Sequence, residues 1–169
     1  PDALITGIER ALRGGHTGYP PSNGMLELRQ AAVKFLEREA GLVYPVESVL
    51  VAGGARPLIY ASYKALVDPG DAVAFPVPSW NNNHYCYLTG AEAVPIAVDR
   101  ASRFHPTAAA VRAVLGRIRM LALCTPLNPT GTSIAPEVLA EICRDLVAEN
   151  QRREKSGERP VFLLFDKVY

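Results

Sequence analysis

Apolar residues recur along this chain at two different spacings, and the two alternate. Over residues 2–13, Leu4, Ile8 and Leu12 fall on one face of a helix that Gly14 and Gly15 end. Over residues 25–40, Leu28, Ala32, Phe35 and Leu36 repeat the helical spacing, charged side chains take the other face, and Gly41 offers a stop. Residues 48–52 read as a short strand closed by Gly53-Gly54, followed by a helix on which Ile59, Tyr63, Leu66 and Val67 share a side. Asp68-Pro69-Gly70-Asp71 makes a turn. Further strands are expected at 72–75, 93–98, 120–124 and 161–165, with helices near 84–88, 107–115 and 136–152. The last helix would turn Val138, Leu139, Ile142, Cys143, Leu146 and Val147 inward, and residues 151–159 read as a charged surface loop.

Strands that alternate with helices require crossover connections, so the pattern predicts an α/β fold: a three-layer sandwich around a mostly parallel sheet. Residues 121–124 and 161–165 are continuously apolar, as strands covered on both faces are. No internal repeat or low-complexity tract interrupts this order.

Composition narrows the partners. With 18 basic and 17 acidic side chains the net charge is +1, which gives no case for nucleic acid or an anionic membrane. Charged residues or prolines interrupt every apolar run well short of a membrane span. Cys86, Cys124 and Cys143 have no paired spacing, so neither a disulfide framework nor a zinc site is indicated, and a cytoplasmic protein is expected. His16, His84 and His105 are scattered. The chain begins at Pro1 and stops just beyond a strand that should lie inside the sheet, so a piece of a larger protein is expected.

Ligands of open parallel sheets bind at the carboxyl ends of the strands. Four segments follow strands here: Gly53-Gly54-Ala55-Arg56, Pro78-Ser79-Trp80-Asn81, Asn128-Pro129-Thr130-Gly131 and Asp166-Lys167-Val168-Tyr169. The first, two glycines before a helix start, offers backbone N–H groups and a helix dipole to an anion such as phosphate; alone it also reads as a tight connection. Trp80 offers a stacking face, or a core residue. Asn128 stands between two prolines that fix the backbone around it, in what alone reads as a structural turn. Asp166 ends an apolar strand, where a carboxylate needs a cation or a strong donor, or else caps the next helix. An anion cradle, a stacking face, an amide and a carboxylate together suit a planar, phosphorylated heteroaromatic with a basic ring nitrogen, and pyridoxal 5'-phosphate is the candidate.

Taken in order, the motifs Tyr19-Pro-Pro-Ser-Asn-Gly24, Leu28-Arg29, Gly53-Gly54-Ala55, Asp68-Pro-Gly-Asp71, Pro78-Ser-Trp80, Asn128-Pro-Thr-Gly131 and Asp166-x-x-Tyr169 resemble the class I and II aminotransferases of fold type I, the aspartate aminotransferase fold. The resemblance implies that residues 1–169 are part of a pyridoxal-phosphate-binding large domain. It implies that Gly54 and Ala55 present N–H groups to the cofactor phosphate and Trp80 stacks on the ring. Asn128 and Tyr169 would contact the ring's phenolic oxygen, and Asp166 would pair with the ring nitrogen. Tyr19 would reach the phosphate of a neighbouring subunit, which implies a homodimer. The small-molecule partners would be an amino acid and a 2-oxo acid.

The chain departs from the family at two positions. Ala55 stands where many relatives carry a hydroxyl or a lysine, and Lys167 where acidic or apolar residues are frequent. The Schiff-base lysine falls in the family well after Asp-x-x-Tyr; Lys34, Lys64, Lys155 and Lys167 match no such motif, so no catalytic residue is assigned and residues 1–169 alone are expected to be inactive. The same motifs occur in pyridoxal-phosphate-sensing domains of transcription regulators and in lyases and cyclases on this scaffold. A hydrolase is disfavoured because the approximate elbow 131–135 lacks its final glycine. A dinucleotide-binding dehydrogenase is disfavoured because no Gly-x-Gly-x-x-Gly follows a strand.

Overall fold

The computed structural model of the chain describes residues 1–167. It falls into two compact units, Pro1–Leu58 and a second that begins at Ile59. The first unit contains helices α1 (Asp2–Arg13) and α2 (Leu26–Ala40) and a single 3-10 turn, Val46–Ser48. The second holds most of α3 (Ala55–Leu66), then β1 (Ala72–Val77), α4 (Asn82–Thr89), β2 (Glu92–Ala97), α5 (Ala108–Leu115), β3 (Met120–Cys124), α6 (Pro136–Ser156) and β4 (Phe162–Asp166).

In the first unit the two helices form where the periodicity placed them, and their apolar faces stay open. Leu4, Ile5, Ile8 and Leu12 of α1 are all more than half exposed, and neither α1 nor α2 contains a buried residue. The loop before α2 is held by backbone and packing: Val51 N–H donates to Asn23 O at 3.1 Å, and Arg29 Nη1 donates to Val46 O at 3.2 Å. Gly24 sits at φ +96°, and a Cβ there would lie 2.7 Å from the Val51 Cβ, so only glycine lets the two segments approach. Residues 48–52 are not the strand expected from their β-favouring side chains. Propensity alone does not make a strand; among the described residues the Val51 bond to Asn23 is the one that reaches a distant segment, the others being local turns, so there is no ladder.

In the second unit the four strands are all parallel, in the order β2-β1-β3-β4. Side chains alternate across the sheet, so each strand serves two cores. Ala72, Ala74, Val94, Ile96, Leu121 and Leu123 pack with Val111 and Leu115 of α5 and Ile142 of α6 on one face. On the other, Val73, Phe75, Met120 and Ala122 pack with Tyr63, Val67, Tyr85 and Cys86, contributed by α3, the residue after it and α4. The three-layer α/β arrangement is therefore the observed one. Helix α5 starts as its sequence directs, with Thr107 Oγ1 accepting the Ala110 N–H at 3.2 Å.

Pairing is uneven across the sheet. β1 pairs with β2 over six residues and β3 with β4 over five, but β1 meets β3 only at Val73–Met120 and Ala74–Leu121. Pro76, fully buried in β1, has no N–H to give to a ladder. Beyond Ala74 the two central strands are unpaired. β1 continues into α4 on one face and β3 into α6 on the other, so this gap is the topological switch point of the sheet.

The opposite, amino-terminal edge is closed by arginines. Arg119 Nε donates to Leu66 O at 2.9 Å and its guanidinium lies 4.8 Å from the Phe162 ring centroid, while Arg159 pairs with Asp68 and Asp71. Residues 151–156, expected as loop, continue α6 to its left-handed cap at Gly157. The reason is Arg153, only 6% exposed, which bonds Leu115 O at 2.8 Å, Arg159 O at 3.0 Å and Glu149 at 2.7 Å. A charge run thus turns inward because each guanidinium nitrogen of Arg153 finds an acceptor.

Arg153→Met keeps much of the volume and removes these bonds; it is expected to lower the unfolding free energy by about 2–3 kcal/mol, read from urea unfolding. Arg152 and Arg153 hold the Glu149 carboxyl at about 2, below its ordinary 4.5. A depressed carboxylate contributes stability above its unfolded value and loses it as pH falls through the folded value. The decline of stability between pH 4.5 and 2 is therefore expected to be shallower in Glu149→Gln than in the wild type.

Candidate cofactor site at the switch point

The segment leaving β1 is fixed by a chain of hydrogen bonds. Asn82, in the first turn of α4, donates from Nδ2 to Ser79 Oγ at 2.6 Å and accepts from the Tyr63 hydroxyl at 2.9 Å. Tyr63 is fully buried, its ring 5.4 Å from that of Tyr85, and burial holds its phenol protonated far above the ordinary range. Asn81, at φ +60°, makes the sharp entry into α4. Trp80 stands between these anchors with 45% of its surface exposed, so it is a surface-facing indole on a rigid support, not a core tryptophan.

β3 ends at Cys124 and β4 at Asp166, and these two residues are partners in the strand register. Thr125 N–H donates to Asp166 O at 3.1 Å, which holds the two strand ends together. Both side chains line the cleft that Trp80, Ser79, Asn82 and Tyr85 border from the other side, with Ile59 of α3 at its wall. Burial pushes the Asp166 carboxyl above its ordinary value, and the contact with the Cys124 thiol pulls it back in part. The cleft holds a carboxylate without a cationic partner among the described residues that line it.

The loop after β3 is locked as firmly. The peptides before Pro126 and Pro129 are cis, and Leu127 is buried. Leu127 N–H donates to Thr132 O and Gly131 N–H to Leu127 O, each at 2.8 Å, and Ile134 N–H donates to Thr125 Oγ1 at 3.1 Å. Thr132 Oγ1 donates its one proton to Arg103 O at 2.7 Å, so at 3.2 Å the His105 Nε2 is the donor to it. Burial lowers the His105 pKa, which favours the neutral ring. Asn128, half-buried, is presented by this frame four residues after Cys124.

Of the predicted site residues, the structure brings Trp80 and Asp166 into one cleft and places Asn128 on the loop that leaves it. Tyr19, Gly54 and Ala55 belong to the first unit: Tyr19 is fully exposed, Gly54 turns its N–H to Ala52 O at 2.8 Å, and Ala55 opens α3. Tyr169 lies outside the described residues. Sequence reasoning missed Asn82, Ser79, Tyr63 and Cys124. The run Trp80-Asn-Asn-Asn at a helix start could have revealed Asn82, and the strict alternation through Met120, Ala122 and Cys124 could have placed the thiol on the cleft face.

Among curated proteins, the chain is 34% identical over 171 residues to the bifunctional aspartate aminotransferase and glutamate/aspartate-prephenate aminotransferase of Petunia hybrida, covering all of this chain and 34% of that one. Among solved structures it superposes on the Thermus thermophilus aspartate aminotransferase with maleate at a TM-score of 0.90 and 29% identity, covering 100% of this chain and 42% of that one. The N-succinyldiaminopimelate aminotransferase of Mycobacterium tuberculosis gives a TM-score of 0.83 at 32% identity, covering 96% and 41%. The chain thus spans between a third and about two-fifths of the length of these proteins. The family described as aminotransferase class I and II matches residues 1–151, and the chain belongs to that family.

Proposed function

We propose that this chain is part of the large domain of a pyridoxal 5'-phosphate-dependent aminotransferase, which moves an amino group between an amino acid and a 2-oxo acid. The observation that carries the reading is the meeting of Trp80 and Asp166 in one cleft at the switch point. The donor set suits the cofactor. A desolvated carboxyl whose pKa is raised gains most from a cationic N–H, and an exposed indole beside it offers the face for a flat ring.

When bound, the cofactor supplies an electron sink for the α-carbon of the amino acid. The residues of this chain bind and polarise it. Asp166, as carboxylate, would keep a proton on the ring nitrogen; Trp80 would hold the ring plane; Asn128 would donate its amide to the phenolic oxygen, with Tyr169 assigned to the same atom. Ala55 and the first turn of α3, with Gly54 at φ +116° setting the entry, would face the phosphate. No lysine lines the cleft among the described residues, and the lysine that bonds the cofactor is assigned to the remainder of the whole protein. Exposure of Tyr19 supports a role across a homodimer, and three free cysteines support a cytoplasmic setting. Among the described residues no helix is long and apolar enough to cross a membrane.

The relatives named for aspartate make it the first donor to assay. The full-length protein with pyridoxal phosphate, aspartate and a 2-oxo acid is expected to exchange amino groups, and absence of exchange with any amino acid would overturn the reading. Asp166→Asn is expected to lower kcat by about 100-fold or more, because the ring proton loses its counter-charge. Asn128→Ala is expected to loosen the cofactor by about 10-fold, measured by dialysis and reconstitution. It should also raise the pH at which the bound chromophore ionises, since an anion-stabilising donor is lost; an unchanged spectrum would return Asn128 to a purely structural turn.

A further inference from the structure

We infer that Cys124 is a positioning residue of the cofactor site, whose thiol ties the Asn128 loop to the Asp166 carboxylate; the inference rests on the aminotransferase reading above. Three observations converge on it. The register pairs Cys124 with Asp166 at the ends of adjacent parallel strands, and both face the same cleft. The Cys124 Sγ donates to Pro126 O at 3.3 Å, so the sulfur sits against the turn that presents Asn128. Within that cleft the two side chains influence each other: the Asp166 carboxylate holds the thiol up and the thiol draws the carboxyl down.

A thiol carries one proton. Pro126 O and the Asp166 carboxylate therefore compete for it, and whichever holds the proton leaves the other acceptor to a different donor. Burial keeps the thiol protonated, so the donor is present through the ordinary pH range. With the S–H directed at Pro126 O, the carboxylate is left for a cationic partner; with the S–H directed at Asp166, the proton stays on sulfur and the carboxylate is kept ionised and oriented while that partner is away. Cys124 in this way would couple the placement of the two groups assigned to the ring nitrogen and to the phenolic oxygen.

The test uses the full-length protein reconstituted with pyridoxal phosphate labelled with 15N at the ring nitrogen. Cys124→Ala is expected to speed cofactor release about 3- to 10-fold and to move the ring resonance toward the unprotonated position, with kcat lowered and KM for the amino donor unchanged. Cys124→Ser, which keeps one donor and one acceptor, is expected to stay within about 2-fold of the wild type in release and to hold the wild-type resonance. Wild-type resonance and release in Cys124→Ala would overturn the inference. So would a Cys124→Ser variant that behaves like Cys124→Ala, since the effect would then come from packing. Asp166→Asn separates the two levels of argument. If it moves the resonance and Cys124→Ala does not, the role of Cys124 alone fails; if Asp166→Asn leaves the resonance protonated, the cofactor reading itself fails.

Discussion

The candidate site depends on one interruption in the sheet. β1 and β3 are neighbours for only two residues, Val73 and Ala74 against Met120 and Leu121, while each pairs at length with its other neighbour. Pro76, fully buried, removes a backbone donor from β1 beyond that point. The chain then leaves β1 toward one face and β3 toward the other. Two strand ends that would otherwise be stitched together are left apart, and a cleft opens between the Trp80 segment and the Cys124–Asp166 pair. The gap is tolerable because both strands are anchored on their outer sides.

The two edges of the sheet divide the work of the fold. At the amino-terminal edge, arginines from the residue before β3, from α6 and from the segment before β4 reach carbonyls and carboxylates contributed by distant parts of the chain. These charges are largely neutralised where they stand, which suits an edge that only holds. At the carboxyl-terminal edge the balance is the reverse: Asp166 is desolvated, with a cysteine thiol beside it. A carboxyl in that state costs stability in isolation and gains when a cation arrives. The rigid frames around it, Tyr63–Asn82–Ser79 on one side and Leu127–Thr132–His105 on the other, hold the cleft walls in place.

Much of this was legible in the residues because hydrophobic period and turn chemistry agreed. The continuous apolar run 121–124 is a strand buried on both faces, as its composition implied, and Thr107 and Gly41 mark helix ends as such residues do; the run 161–165 also forms a strand, but among the described residues β4 stands at the sheet edge and is only partly buried. Two segments misled. Residues 48–52 have strand-forming side chains, but a strand exists only in a ladder, and propensity cannot show whether a partner is in reach. Residues 151–156 have a loop's charge, but Arg153 is neutralised by acceptors up to 38 residues away, which local composition cannot reveal. Helices α1 and α2 show the complementary limit: period predicts their amphipathic faces correctly, while what covers such a face is not written in the face itself.

The same distinction explains why Trp80, Asn128 and Asp166 were readable as site residues and Cys124 was not. The first three are residue types whose chemistry is conspicuous at a strand end, where indole, amide or carboxylate needs a reason to be. Cysteine at the end of an apolar strand needs none, since it passes as one more small hydrophobe. Only the register reveals it as the neighbour of Asp166, and only the turn geometry places Pro126 O on its sulfur. A weak donor suits that position: it can support the carboxylate and give way to a charged partner, whereas a cationic side chain there would hold Asp166 permanently and leave it unavailable to any other cation.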